Sequence, residues 1–377
     1  MTFRELGLFR GTEQYDHFRR LDDFFQTAPM PAAVHPYQLK VGEPFALPLN
    51  FDALGVSRSS EALLEETHTS SLVVLKDSAM VFEDYWLTGG VDIPWISWSM
   101  SKSMISCLVG IAIDEGLIAS ALEPITDYVP ELLGSAYDNV PIRDVLEMSS
   151  GVDWVEEYSS SGKTFDGFLD AMKKGGSFLR ELQSTKSEYS PGTVCRYSSA
   201  DTQALGCLLH ACTGESIASY MTSRLVEPLG FEAPGFWISD DQGVEMALGG
   251  VNMIARDYAK FGELYRLGGN WNGRQIVSAS WVEASIAPRA PHQDFGRVFV
   301  GNDITPFGYG LQWWVAPGDE GEFAAVGIYN QFIYVNRSRG VVIVKLSANP
   351  RFGLSKEDKD NRELETFCFF RAVASAL

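Results

Sequence analysis

The sequence predicts an α+β protein: an antiparallel β-sheet flanked by helices, built from both ends of the chain, plus a mostly helical inserted domain. Three observations predict it. β-rich runs surround a turn signal in residues 71–86, three strand candidates follow Gly308, and residues 117–245 carry helical patterns with weak strand signals. The sheet domain is therefore expected over 1–116 and 246–377, and the helical domain over 117–245. A cleft between them is the natural place for a site.

Residues 1–60 begin with helical patches and continue into the Pro-rich APMPAAVHPYQLKVGEPFALPLNF, which reads as a wrapping segment with little regular structure. SLVVLKDSAMVFEDYW then reads as a hairpin turning at Lys76-Asp77-Ser78. Past Pro94 a long helix is expected over about 99–116. Its apolar residues, among them Met104, Ile105, Leu108, Val109 and Ile113, face nearly all round, so it is expected to be buried. Pro124, Pro130, Pro141, Gly151, Pro191-Gly192 and Gly214 punctuate the helical stretch. Residues 249–286 read as helical again. GYGLQWWV, EFAAVGIYNQFIYV and GVVIVKLS are strand candidates, the last two joined by the turn NRSRG, and a final helix is expected over about 358–376.

Composition narrows the function. The chain has 377 residues, 45% hydrophobic and 21% charged, the profile of a globular protein with a sizeable core. Thirty basic against 49 acidic residues give a net charge of −19. Such a chain repels nucleic-acid phosphates and anionic membrane surfaces, so neither is an expected partner. The N-terminal MTFRELGLFRGTEQYDHFRR has no apolar signal-peptide core, and a cytoplasmic location is expected. Five cysteines without a CxxC pair suit reduced thiols, and five histidines without HxH or HExxH give a metal site little to stand on. No GxSxG elbow occurs.

Ser99-Met100-Ser101-Lys102 opens the apolar helix. A three-residue spacing at a helix start puts a hydroxyl and an amine on one face. The positive helix end favours a developing oxyanion, and burial disfavours charged lysine, so Lys102 could accept a proton from Ser99. The pair is an activated nucleophile without histidine. The plainer alternative is a capping serine followed by a helix lysine. A second match, Ser160 to Lys163, lies in a Ser/Gly stretch and reads as a solvated turn. Tyr197-Ser198-Ser199 supplies a tyrosine that could relay a proton, although Tyr137, Tyr158 and Tyr334 open similar triplets.

With these motifs the chain resembles the serine β-lactamase-like hydrolases, which include class C β-lactamases, penicillin-binding proteins, carboxylesterases and 6-aminohexanoate-dimer hydrolases. SMSKSMISCLVGIAIDEGLI is similar to the family's nucleophile helix, CRYSSADTQALGCLL to its tyrosine motif, and GIYNQFIYVNRSRGVVIVKLS to the strand pair that closes the site. The wording is nearest to the 6-aminohexanoate-dimer hydrolase and esterase branch. The resemblance selects Tyr197 over its rivals. It implies Ser99 as nucleophile, Lys102 and Tyr197 as base and proton relay, and Ser199 as a hydrogen-bond partner of Lys102. It also implies an oxyanion hole from the backbone N–H groups of Ser99 and Ile328, with Gly327 ending the adjoining strand. Tyr158 matches a cleft-lining tyrosine of the amide-hydrolysing branch.

The family's Lys-Thr-Gly is replaced by Ala325-Val326-Gly327, which removes the cation and hydroxyl that grip a substrate carboxylate. Where the nearest branch has Gly-Ile-His-Gly-Gln, this chain has Gly327-Ile328-Tyr329-Asn330-Gln331, and the lost second glycine is expected to narrow the site. The resulting expectation is a serine hydrolase that cleaves an ester or linear amide through an acyl-enzyme on Ser99, with no cofactor and no metal. Its partner would be a small-molecule ester or amide, and a homodimer stays open. A β-lactamase or D-amino-acid peptidase, and a catalytically silent binding protein on the same scaffold, are the alternatives.

Overall fold

The computed structural model describes residues 3–9, 11–156, 168–169, 171–173, 175–355 and 357–377. Its main sheet has eight strands in the order Gly308–Tyr309, Trp314–Val315, Glu322–Gly327, Gln331–Asn336, Val341–Ser347, Thr69–Lys76, Ala79–Tyr85 and Lys40–Val41. The two ends of the chain meet at its centre, where Val344 opposes Val73 in an antiparallel ladder.

The sheet is covered on both faces, and the period-two alternation of its strands shows how. Val73 and Leu75 point into the larger core with Val342 and Val344, while Leu72 and Val74 point to the opposite face with Val341 and Ile343. The terminal helix Glu363–Ala376 closes that opposite face, lodging Phe367 and Phe370 against Phe332 and Tyr334. The helix Ala255–Arg266 lies on the first face. Gly262 lets it approach, because a Cβ there would meet Ile333 at 2.6 Å and Val342 at 2.8 Å. Each fully buried aliphatic side chain of this kind contributes roughly 1.5–3 kcal/mol.

Four sequence expectations change. EFAAVGIYNQFIYV is two strands, because Tyr329 and Asn330 adopt left-handed φ values of 64° and 67° and reverse the chain after Gly327. The wrapping segment is more regular than expected: Thr27–Met30, Lys40–Val41 and the hairpin Asn50–Ala53/Val56–Ser59 are all strands. One ladder of the sheet is parallel, Lys40–Val41 against Ala79 and Met80, since several elements separate the two strands in sequence and no hairpin joins them. Finally, Gly235–Ile238, within the stretch expected to be helical, joins a small sheet with Thr27–Met30, Val251–Met253 and Trp95–Ile96.

The buried helix spans Ser101–Asp114, with every side chain from Ser101 to Ala112 inside, and a 3₁₀ turn over Trp98–Met100 precedes it. Against it packs Ser199–Thr213, capped at its start by the Ser198 hydroxyl, which accepts from the Asp201 N–H, and ended by left-handed Gly214. Two helix starts, at Ser99–Lys102 and at Ser199, are thereby brought side by side. Among the described residues no helix is long and apolar enough to cross a membrane.

Candidate active site

Ser99 lies in the 3₁₀ turn, one residue after Trp98, whose φ of 45° is left-handed. Lys102 follows one turn later and is 1% exposed. Its Nζ donates to Ser99 Oγ at 3.0 Å, to Ser199 Oγ at 3.2 Å and to the Leu248 carbonyl at 2.6 Å. Burial lowers the pKa of this amine to about 8, against the opposing pull of Glu156.

The partners of Lys102 constrain its lone pair. The Ser199 hydroxyl donates to Glu156 Oε1 at 2.6 Å, and the Ser199 N–H donates to Oε2 at 3.0 Å. Its proton is thus committed to Glu156, and a carbonyl has no proton to give. When Lys102 is neutral, Ser99 is the one of its three partners free to turn its O–H toward nitrogen. This directs the amine's basicity at the Ser99 proton.

Tyr197 completes the cluster. Its ring lies 5.2 Å from Lys102 Nζ, stacks on Trp314 at 5.2 Å and meets Tyr309 edge-on at 6.0 Å. Burial, then the charge of Glu156, raise its pKa well above the ordinary value, while a hydrogen bond with the Ser99 hydroxyl pulls the other way. At neutral pH the side chain is a phenol, with a proton it can donate.

Ser99, Tyr197, Glu156, Gly327, Ile328 and Trp314 all line one cleft of about 540 Å³. Gly327 sits directly against the serine turn: a Cβ there would meet the Ser97 carbonyl at 2.5 Å and Trp98 Cβ at 3.1 Å. This close approach sets the residue after it, Ile328, at the mouth of the turn. The Gln331 amide holds that hairpin by donating to the carbonyls of Ile328 at 3.1 Å, Tyr329 at 3.0 Å and Ser347 at 2.7 Å. Val326 faces the cleft where the family's motif has threonine.

Asn330, in place of the lost second glycine, does not itself line the cleft. Asn330 is fully buried, and its amide turns to the Asn361 carbonyl at 2.8 Å while its oxygen accepts from Asn349. Asparagine tolerates the left-handed conformation that the vanished glycine would have supplied. Tyr158 lies outside the described residues, as does the second Ser-Lys pair, Ser160 and Lys163. Of the five tryptophans near the motifs, Trp314 lines the cleft and Trp95, Trp98, Trp154 and Trp313 are buried.

Sequence reasoning missed Glu156, which also accepts the Trp154 indole N–H. The two adjacent acids in DWVEEY were its one trace, and nothing local says that one of them is buried under a helix start.

Comparison with known proteins places the chain in a family. The beta-lactamase family model matches residues 63–366. A 6-aminohexanoate-dimer hydrolase of Paenarthrobacter ureafaciens is 32% identical over 297 residues, covering 77% of this chain and 75% of that protein. Among solved structures, a Bacillus anthracis protein provisionally described as a 6-aminohexanoate-dimer hydrolase superposes with a TM-score of 0.83 at 20% identity, covering 97% and 94% of the two chains. A family VIII carboxylesterase superposes with a TM-score of 0.63 at 13% identity, over 84% of this chain and 97% of that one. The last two likenesses concern the fold.

Proposed function

The chain belongs to the beta-lactamase family of serine hydrolases, and from that premise we propose that it hydrolyses an ester or linear amide bond through an acyl-enzyme on Ser99. The observation that carries the reading is the environment of the Lys102 amine, where, of its three hydrogen-bond partners among the described residues, the Ser99 hydroxyl is the one with a proton to present.

Neutral Lys102 takes the Ser99 proton as Oγ attacks the substrate carbonyl carbon. The carbonyl oxygen gains the negative charge. The N–H groups of Ser99 and Ile328 are assigned to hold it, each donor contributing roughly 2.7–4 kcal/mol. The tetrahedral intermediate collapses by breaking the bond to the leaving oxygen or nitrogen. That atom receives a proton from Tyr197, which is replenished from the Lys102 ammonium. Water then attacks the acyl-serine, gives its proton to the same relay and releases the acid, restoring the Ser99 hydroxyl. Chemistry of this kind runs on the protein's own side chains.

The composition of the cleft favours an esterase or linear amidase over a β-lactamase or D-amino-acid peptidase. Val326, on the cleft lining, stands where a hydroxyl would grip the carboxylate of those substrates, and Ala325, buried in the core beside it, takes the place of the cation. The reading is tested with p-nitrophenyl acetate and butyrate and with intact mass after a fluorophosphonate probe, using wild type and Ser99→Ala. A burst of nitrophenol and a single adduct, both lost in the variant, are expected. Absence of turnover and adduct in the wild type would reject the nucleophile and favour a silent binding protein.

A further inference from the structure

A second cavity, of about 320 Å³, shares no lining residue with the catalytic cleft. Its walls come mainly from the helix Ile142–Leu146 and the residue after it, from the helix Ala279–Ser285 and the loop that follows, and from Leu311. Trp281, Leu146 and Leu311 give it apolar surfaces. Arg143, Arg289 and Glu147 are the charged groups of its lining, two guanidiniums against one carboxylate. On a chain of net charge −19 this is a local reversal of sign.

The three charges are not equivalent. Glu147 is buried and neutralised by Arg289, whose Nε and Nη2 donate to its two oxygens at 2.7 Å each. Fork and carboxylate satisfy each other there. Arg143 is half-buried, and its guanidinium makes no hydrogen bond or salt bridge with any described residue. Asp144 feels the charge of both arginines but is not part of the lining. A guanidinium beside apolar surface is suited to a carboxylate, which it can hold by two parallel hydrogen bonds. One uncommitted guanidinium matches one negative charge, and the apolar walls call for a carbon body behind it.

We propose that this cavity is a second binding site, for a small organic monocarboxylate, with the acid group on Arg143 and the apolar body on Trp281, Leu146 and Leu311. Its walls reach the catalytic elements by two routes. Trp281 lies on the nucleophile helix at Gly110, where a Cβ would meet the indole at 2.5 Å. Leu311 precedes the buried Gln312, whose amide donates to the Leu146 carbonyl at 2.9 Å. The side-chain oxygen of Gln312 accepts the Thr202 hydroxyl at 2.6 Å, and its backbone carbonyl accepts the Ser103 hydroxyl at 2.7 Å. Ser103 follows Lys102, and Thr202 stands three residues after Ser199. An acid seated in the cavity is therefore expected to act on kcat without competing for the cleft. Binding does not depend on the hydrolase reading, whereas the effect on kcat rests on it.

Titration calorimetry with 3-phenylpropionate, 3-phenylpropanol and acetate reads the site directly. The first carries both features, the alcohol lacks the charge, and acetate lacks the body. 3-Phenylpropionate is expected to bind the wild type at one site, and the other two at least about tenfold more weakly. Arg143→Gln, outside the catalytic machinery, is expected to weaken the acid at least about tenfold and to leave ester turnover in its absence unchanged. With p-nitrophenyl butyrate as substrate, 3-phenylpropionate at a concentration that saturates the wild type is expected to change kcat by about twofold or more at near-constant KM. The same concentration should leave kcat of Arg143→Gln nearly unaltered. No binding of the acid, binding that survives Arg143→Gln, or equal binding of the alcohol would overturn the site. So would purely competitive inhibition that persists in Arg143→Gln, which would seat the acid in the catalytic cleft. Arg143-dependent binding with kcat unmoved would keep the site and overturn its link to catalysis. Arg143-dependent binding by a protein that hydrolyses no ester would support the site and reject the hydrolase reading.

Discussion

Glu156 holds Ser199 at two points, accepting its hydroxyl proton at 2.6 Å and its backbone N–H at 3.0 Å. The contact fixes Ser199 as an acceptor toward Lys102 and leaves the lysine facing Ser99. Lys102 titrates at about 8 because burial outweighs the charge of Glu156. With the neutral amine as the proposed base, kcat/KM for a p-nitrophenyl ester is expected to rise with pH through about 8. Glu156→Gln removes the negative charge that favours the ammonium, which moves this limb to lower pH. The check is a pH–rate profile of both proteins. A limb that stays put, or moves upward, would separate Glu156 from the titration of Lys102.

Tyr197 is expected to matter to chemistry more than to folding. Its ring is fixed by Trp314 and Tyr309, contacts that phenylalanine keeps, whereas its hydroxyl meets Ser99. Tyr197→Phe should lower kcat by roughly 10²–10⁴, the usual contribution of a positioned proton donor. Its midpoint in urea should stay close to that of the wild type. A variant with near-normal kcat would remove the tyrosine from the relay.

The two residues that flank the assigned oxyanion donors touch each other. Trp98 precedes Ser99, Tyr329 follows Ile328, and their ring centroids are 5.6 Å apart. Both hold left-handed backbone conformations, with φ 45° and 64°, which residues of this size adopt only when packing compensates. Phe18 supplies that packing, lying 5.6 Å from Trp98 and 5.5 Å from Tyr329. Tyr329→Ala should therefore destabilise the fold by about 3–5 kcal/mol. It should also lower kcat more than it raises KM, because the amide of Ile328 loses its support. Urea denaturation and steady-state kinetics on the same preparation would separate the two effects. An unchanged kcat in a folded variant would argue against the hairpin's part in catalysis.

The central sheet strands and the Ser99–Lys102 pair stood out because each rests on a local pattern, whereas Tyr197 was selected among similar triplets by the family resemblance. The run LVVL is apolar throughout since both faces of Thr69–Lys76 are covered, and Lys102 is conspicuous on a helix that is otherwise apolar and buried. The reversal at Ile328–Asn330 was hidden because Tyr329 takes a conformation its type seldom adopts, held by Trp98 and Phe18 from elsewhere in the fold. Glu156 was illegible for a different reason. A carboxylate is ordinary in sequence, and only long-range packing, Ser199 over Glu156, takes it out of water.

Lys345 is a second buried lysine, set in the central strand Val341–Ser347 and well away from any role assigned above. Its amine donates to the hydroxyls of Thr67 at 2.8 Å and Ser347 at 2.5 Å, and among the described residues it forms no ion pair. Burial holds its pKa well below 10.5. Between the folded pKa and the unfolded value the unfolded chain binds the extra proton, so stability rises with pH across that window and Lys345 opposes folding below it. Thr67 also donates to the Leu63 carbonyl at 2.7 Å, so its hydroxyl keeps a partner when the amine is removed. Lys345→Met, which fills nearly the same volume, is accordingly expected to stabilise the protein by about 1 kcal/mol or more at pH 7 and to flatten the rise of stability toward alkaline pH. Urea unfolding of both proteins at pH 7 and pH 9.5 provides the comparison. A variant less stable than the wild type at pH 7 would mean that the two hydroxyl contacts outweigh the cost of burying the amine.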